Sequence, residues 1–325
     1  MRFRDHDTEC TPGVVRLLSG AHVDWRVNRR ILRTSPSGMA VMTTEEFIGK
    51  EVSFGPRPVT EEHMLAFCQG INEEGLSFTD PADEDFRAHP MYCVRSIIPA
   101  SGMCLLNPKA GIDFQRIVHA GIEIRFHQAV LPGDELKTTS SLQGVEEKPK
   151  GRLLDVAFRT CNGRGEVVAE GTTCYFERGK GSEQEPANRD GEEDEEYDDS
   201  ETTREVLLMT EVPTQDDQSI LYAEGSGDRF PIHTNDEFAR SVGLPGMILH
   251  GLCTLALSTA LVLQRLNKGW ADLSSVSCRF THIALPGAEL RVVGYRANGG
   301  NAEFETFDLA SNKVLSDGWV RIRSS

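Results

Sequence analysis

The feature that most constrains this chain is a repeat of itself. Arg125-Phe126-His127-Gln128-Ala129-Val130-Leu131-Pro132-Gly133-Asp134-Glu135-Leu136 aligns without a gap on Arg279-Phe280-Thr281-His282-Ile283-Ala284-Leu285-Pro286-Gly287-Ala288-Glu289-Leu290, sharing Arg-Phe, Leu-Pro-Gly and Glu-Leu. Upstream, Phe67-Cys68-Gln69-Gly70 falls on Tyr222-Ala223-Glu224-Gly225 at an offset of 155 residues, against 154 for the first match. Order and spacing are both kept, so the chain is expected to hold two copies of one domain. Its 325 residues suffice for two domains of ordinary size.

Between the copies the composition changes abruptly. From Glu177 to Val206 there are 13 Asp/Glu against 4 Lys/Arg and almost no apolar side chain. Like charges repel and little is available to bury, so residues 178–205 are expected to form a disordered acidic linker. That stretch carries a net −9 of the formal −16, leaving the folded parts mildly acidic. Excess acid repels phosphate, so no nucleic-acid partner is expected. No apolar run reaches the roughly 18 residues of a spanning helix, so no membrane association is expected either. Residues 1–42 read as an N-terminal extension with seven arginines and four acids. The arginines suit a mitochondrial transit segment and the acids do not, so a cytoplasmic, intracellular protein is expected, with the mitochondrion as the alternative. The closing Ile322-Arg323-Ser324-Ser325 differs from the peroxisomal Ser-Lys-Leu ending, so import by that signal is not expected. Eight cysteines without a Cys-x-x-Cys pair read as reduced, mostly buried thiols.

Within each copy the pattern is helix first, then strands. Residues 252–266 are apolar almost all round, with Gly251 before and Gly269 after, which predicts a helix enclosed on most sides. Strand-like runs follow at 276–280, 289–295, 302–308 and 318–322, broken by Pro286-Gly287 and Asn298-Gly299-Gly300. The first copy shows matching runs at 120–126, 135–142, 153–161 and 171–176. The expected class is α+β, a curved antiparallel sheet wrapped around one long helix, twice over.

Groups capable of chemistry are densest in Tyr222-Ala223-Glu224-Gly225-Ser226-Gly227-Asp228-Arg229-Phe230-Pro231-Ile232-His233 and in Pro245-Gly246-Met247-Ile248-Leu249-His250-Gly251. From Tyr222 through Thr254 the sequence resembles the MaoC-like hydratase family, the (R)-specific or type 2 enoyl-CoA hydratases. Their signature is an aromatic residue, Ser-Gly-Asp-x-Asn-Pro-Ile/Leu-His, a small residue six positions later, and Ile-Leu-His-Gly entering the central helix. The resemblance implies a tandem (double) hotdog: a degenerate, substrate-binding N-terminal hotdog at 43–177 and a catalytic MaoC-like hotdog at 206–325. It implies a hydro-lyase that hydrates trans-2-enoyl-CoA thioesters to (R)-3-hydroxyacyl-CoA or runs the reverse dehydration. No cofactor is then needed beyond the coenzyme A of the substrate. The alternatives are a dehydratase acting on acyl-carrier-protein or polyketide substrates and a non-catalytic acyl-thioester-binding subunit. The implied partner is an acyl-CoA or acyl-carrier-protein thioester, and a homodimer is compatible with the reading.

Carried over position by position, the resemblance makes Asp228 and His233 the catalytic pair and the backbone N–H of Gly251 the oxyanion donor. Phe230 and His250 become neighbours of the substrate. The assignment is chemically sound, because adding water to a conjugated thioester needs a base for the water and an acid for the α-carbon. Asp228, His233 and His250 are metal-ligand types, but they lack a recognisable ligand spacing, so no metal is expected. One position departs from the signature: Phe230 stands where the family has asparagine and cannot make its hydrogen bonds. In the first copy the repeat places Glu73 and Phe78 at the positions of Asp228 and His233, so no acid–base pair is expected there. The apolar Met91, Tyr92, Val94, Ile97 and Ile98 are expected to bind the acyl chain.

Overall fold

The computed structural model describes residues 44–179 and 204–324, so the expected extension and nearly all of the expected linker lie outside the described residues. Ten strands form one antiparallel sheet: β1 (Glu51–Pro58), β2 (Ile117–Phe126), β3 (Glu135–Lys148), β4 (Gly151–Cys161), β5 (Val167–Arg178), β6 (Val206–Pro213), β7 (Leu273–Phe280), β8 (Glu289–Arg296), β9 (Ala302–Phe307) and β10 (Lys313–Ile322). Their order is β1-β3-β4-β5-β2-β7-β10-β9-β8-β6, in which the second half mirrors the first.

The seam between the halves is the β2–β7 pair, running from Gly121 opposite Arg279 to Arg125 opposite Ser275. At the repeat offset of 154, Glu123 and Ser277 are mates, and they face each other. A pseudo-twofold axis therefore passes between them, and the two domains meet as a symmetric dimer would. The eight sequence-predicted strands are all present, although β3 runs on to Lys148 beyond its expected end at 142 and β10 begins at Lys313 ahead of its expected start at 318. Two more, β1 and β6, occupy the sheet edges. β1 carries Gly55, Pro56 and Pro58 and is largely exposed, so neither alternation nor composition marks it as a strand.

Each half wraps its sheet around a helix. In the second half this is Gly251–Arg265, with Leu252, Leu255, Ala256, Leu257, Val262 and Leu263 all buried. Ser258 is also buried, and its hydroxyl meets Thr306 of the sheet at 2.8 Å, which satisfies a polar group that burial would otherwise penalise. The first-half counterpart is Val94–Leu105, entered through a turn at Pro90–Cys93. Met91, Tyr92, Val94 and Ile97 are buried in a core shared by both halves, and Ile98 packs against it. Two shorter helices, Glu61–Gly70 and Gln218–Ser226, cross where repeat mates Gly70 and Gly225 meet the other helix's backbone. No disulfide joins the seven described cysteines, and all but Cys161 are buried. No helix of the described residues is long and apolar enough to cross a membrane.

Candidate active site

Asp228 follows the C-cap of the Gln218–Ser226 helix, and His233 lies one short turn further on, in Pro231–Thr234. The loop between them is held by its own groups. The Asp228 N–H donates to Ser226 Oγ (3.2 Å), the Phe230 N–H donates to Asp228 Oδ1 (3.2 Å), and Pro231 begins the next helix. His233 donates its Nδ1–H to the Ile248 carbonyl at 2.8 Å. That bond fixes the tautomer and leaves the Nε2 lone pair available to accept a proton. Burial holds the His233 pKa below its ordinary value, and the nearby Asp228 charge partly offsets this.

His250, which sequence reasoning treats as pocket lining, has a definite structural task. Its ring stacks on His233 with centroids 3.7 Å apart, and its Nε2–H donates to the Asp228 backbone carbonyl at 2.9 Å. It is 2% exposed, occupies the N-cap position of the Gly251–Arg265 helix, and rests on Tyr222. One ring therefore ties together the acid, the imidazole and the helix start. The run Leu249-His250-Gly251 signals it in the sequence only through the family resemblance, since a lone histidine before a helix has no periodicity of its own.

The N–H groups of Gly251 and Leu252 at the start of that helix precede its first backbone hydrogen bonds, which Cys253 and Thr254 make to the His250 carbonyl, and lie at the positive end of its dipole, so they suit an oxyanion. Gly251 is required here for packing as well: a Cβ on it would lie 2.5 Å from the Phe280 ring. Phe230 presents its backbone N–H to Asp228 while its ring is 47% exposed at the mouth of the site. Phe230→Asn is therefore expected to change turnover of a four-carbon substrate by less than about threefold, because an exposed ring contributes little to holding the acid. A tenfold rise would show instead that an asparagine there orders the reacting water.

Asp228, His233 and His250 each offer a ligand atom within 4.8 Å of the others. A coordinated metal lies in the plane of each imidazole at about 2 Å from nitrogen. Two rings stacked 3.7 Å apart and tilted by only 20° have no common point at that distance. The arrangement fits proton transfer better than chelation.

The pseudo-twofold axis places a second constellation in the first half, and it differs from expectation. Phe78 does replace His233, but an acid and an imidazole are still neighbours: Glu73 Oε2 lies 3.8 Å from Nε2 of His89, the counterpart of His250. The Met91 N–H donates to His89 Nδ1, and burial lowers the His89 pKa to about 3, so the ring is neutral. Trp270 closes this place, donating its indole N–H to Glu73 Oε2 at 2.7 Å and packing 4.0 Å from the His89 ring. The repeat mate of Trp270 is Arg116, which is held elsewhere by Asp113 and Glu177, each at 2.9 Å. Trp270 thus plugs the first-half place, and its repeat mate Arg116 does not do the same in the second half.

Burial lowers the pKa of the partly exposed His63 and of four more deeply enclosed histidines: His233, His250, His89 to about 3 and His119 to about 4. Each takes up a proton in the unfolded chain near pH 6.5 and in the fold only at lower pH. Their contribution to stability is complete above about pH 6.5 and is lost as pH falls toward the folded-state values. Chemical denaturation between pH 7 and pH 5 should therefore show stability falling by up to about 1.4 kcal/mol per pH unit for each such histidine. A flat profile would mean that these rings titrate alike in both states.

Two hotdog-like halves with one open acid–imidazole pair at the start of an enclosed helix define the class, and comparisons with known proteins agree. Residues 199–316 match the family described as MaoC like domain, and residues 46–171 match the FAS1-like, dehydratase domain region. The second half thus carries a MaoC like domain and the first a dehydratase-like region, in the double-hotdog fold of the solved structures that the chain resembles. The chain is 29% identical over 272 residues to 3-hydroxyacyl-thioester dehydratase Y of Mycobacterium tuberculosis, covering 79% of this chain and 90% of that one. It is also 29% identical over 217 residues to the peroxisomal enoyl-CoA hydratase 2 of Arabidopsis thaliana, covering 65% and 70%. The fold matches the MaoC-like dehydratase from Phytophthora capsici with a TM-score of 0.67 at 22% identity, over 85% of this chain and 95% of that one. Against the longer peroxisomal multifunctional enzyme type 2 of Drosophila melanogaster the chain spans about half, 48%.

Proposed function

We propose that this protein is a hydro-lyase that adds water to trans-2-enoyl thioesters of coenzyme A, giving (R)-3-hydroxyacyl-CoA, and catalyses the reverse dehydration. The observation that carries this is the pairing of Asp228 with an imidazole whose Nδ1–H is committed to the Ile248 carbonyl, next to the start of an enclosed helix. The names of the Mycobacterium and Arabidopsis relatives support the hydratase or dehydratase class.

In the proposed step one water is held between the Asp228 carboxylate and His233 Nε2. As its oxygen adds to the β-carbon, one member of the pair takes its proton. The thioester carbonyl gains charge and is met by the Gly251 N–H and the helix dipole. The proton then passes to the α-carbon, so the pair ends as it began and both halves of the water are in the product. No cofactor beyond the substrate's own carrier enters this scheme. Incubation with crotonyl-CoA, followed through loss of the conjugated-enoyl absorbance with chiral analysis of the product, tests the reading. The (R)-product is expected. Turnover only of carrier-protein thioesters would favour the dehydratase of a synthase system, and binding without turnover would favour an acyl-thioester-binding subunit.

A further inference from the structure

Resting on that reading, we propose that His119, contributed by the first half, is the specificity-determining wall of the acyl cleft and restricts the site to short acyl groups. His119 lies near the start of β2, where the pairing with β5 slips between His119 and Gly121. Such a bulge re-aims the side chains beside it. Its Nε2 is hydrogen-bonded to the Thr173 hydroxyl at 2.7 Å, and burial keeps the imidazole neutral. The ring is gripped between Tyr175, stacked at 4.9 Å, and Phe280 at 4.7 Å. Phe280 in turn lies against Gly251, so His119 stands one ring away from the helix start.

The direction of the substrate follows from what surrounds Asp228. On one side are Arg229 and Phe230, both exposed, which suits a large polar carrier. Away from these exposed residues, three enclosed rings lie within range of the Asp228 charge: His119, Tyr175 and Tyr222. Tyr222 is 1% exposed and blocked by Phe67 and His250. His119 and Phe280 are half-buried and keep accessible surface, as groups facing a cleft do. An acyl tail leaving the reacting carbons inward therefore meets His119 first. Met91, Tyr92, Val94 and Ile97, expected from the sequence to hold the chain, are packed in the core. The pseudo-twofold mate of His119 is Leu273, which is fully buried in the plugged copy, so the polar anchoring by Thr173 belongs to the open copy alone.

The test is the ratio of kcat/KM for trans-2-octenoyl-CoA to that for crotonyl-CoA. His119→Ala should raise this ratio about tenfold or more, since lengthening a hydrophobic pocket changes discrimination by at least that factor. His119→Phe, which restores the ring, should return the ratio to the wild-type value. Thr173→Val removes the anchor without opening a cavity and should move the ratio in the same direction by a few fold, which keeps the test decisive if the alanine variant does not fold. An unchanged ratio in variants that still hydrate crotonyl-CoA would overturn the role of His119. Absence of turnover in the wild type would instead overturn the hydratase reading. The same ratio would then be read from the binding of octanoyl-CoA and butyryl-CoA, where His119→Ala must again favour the longer chain for the proposal to stand.

Discussion

Replacing Asp228 by asparagine, or His233 by alanine, lowers hydration of crotonyl-CoA by about a hundredfold or more, the usual loss when a positioned general acid or base is removed. Asp228→Asn is the cleaner variant, because asparagine keeps an Oδ1 for the Phe230 N–H and the fold of the loop survives. His233→Ala removes the stack on His250 and the bond to the Ile248 carbonyl as well, so its melting curve must be compared with that of the wild type. The loss is expected in kcat with KM little changed, since both groups act on the reacting water more than on the bound thioester. A folded variant of either kind with wild-type turnover removes the catalytic assignment.

How much of this was legible in the sequence differs residue by residue. The repeat was legible because it rests on identities at a fixed offset, and the enclosed helix because apolar residues surround it almost completely, with only the small polar Thr254, Ser258 and Thr259 among them. Asp228, His233 and Gly251 came from a signature of rare residues at fixed spacing. The edge strand β1 was hidden by its prolines. The His250 ring stack, the Glu73–His89 neighbours and the plug at Trp270 were hidden for another reason. Each joins residues far apart in the chain, such as Trp270 and Glu73, and no local period encodes such a contact. The same holds for His119: it reaches the site across the seam, through Phe280 on the other half's strand.

The plug also explains why duplication and loss can coexist in one chain. Two equal sites would each need a mouth, and each mouth interrupts the shared core. Filling one with an indole buries apolar surface there at roughly 25 cal/mol per Å² and leaves the other free for chemistry.

Gly225→Ala is the substitution expected to damage the fold most for its size. A Cβ at Gly225 would stand 2.5 Å from the Ala66 carbonyl oxygen and 2.5 Å from the Phe67 Cα, and one at its mate Gly70 would stand 2.7 Å from the Tyr222 Cα. These neighbours are backbone, so no side-chain rotation relieves the clash and the two helices must separate. Alanine gains about 1 kcal/mol over glycine in a helix, whereas overpacking a close contact costs about 1–3 kcal/mol and more when backbone must move. A net loss of about 2 kcal/mol or more is expected, read as a fall of about 5 °C or more in the melting temperature. Turnover should fall with it, because Asp228 lies three residues beyond Gly225 and Tyr222 supports His250. Gly102→Ala is the matching control. Gly102 sits in the Val94–Leu105 helix with nothing within 4 Å of a Cβ, so the same change should be neutral or stabilising by up to about 1 kcal/mol. If both variants melt alike, the close crossing at Gly70 and Gly225 is not what holds the two halves in register.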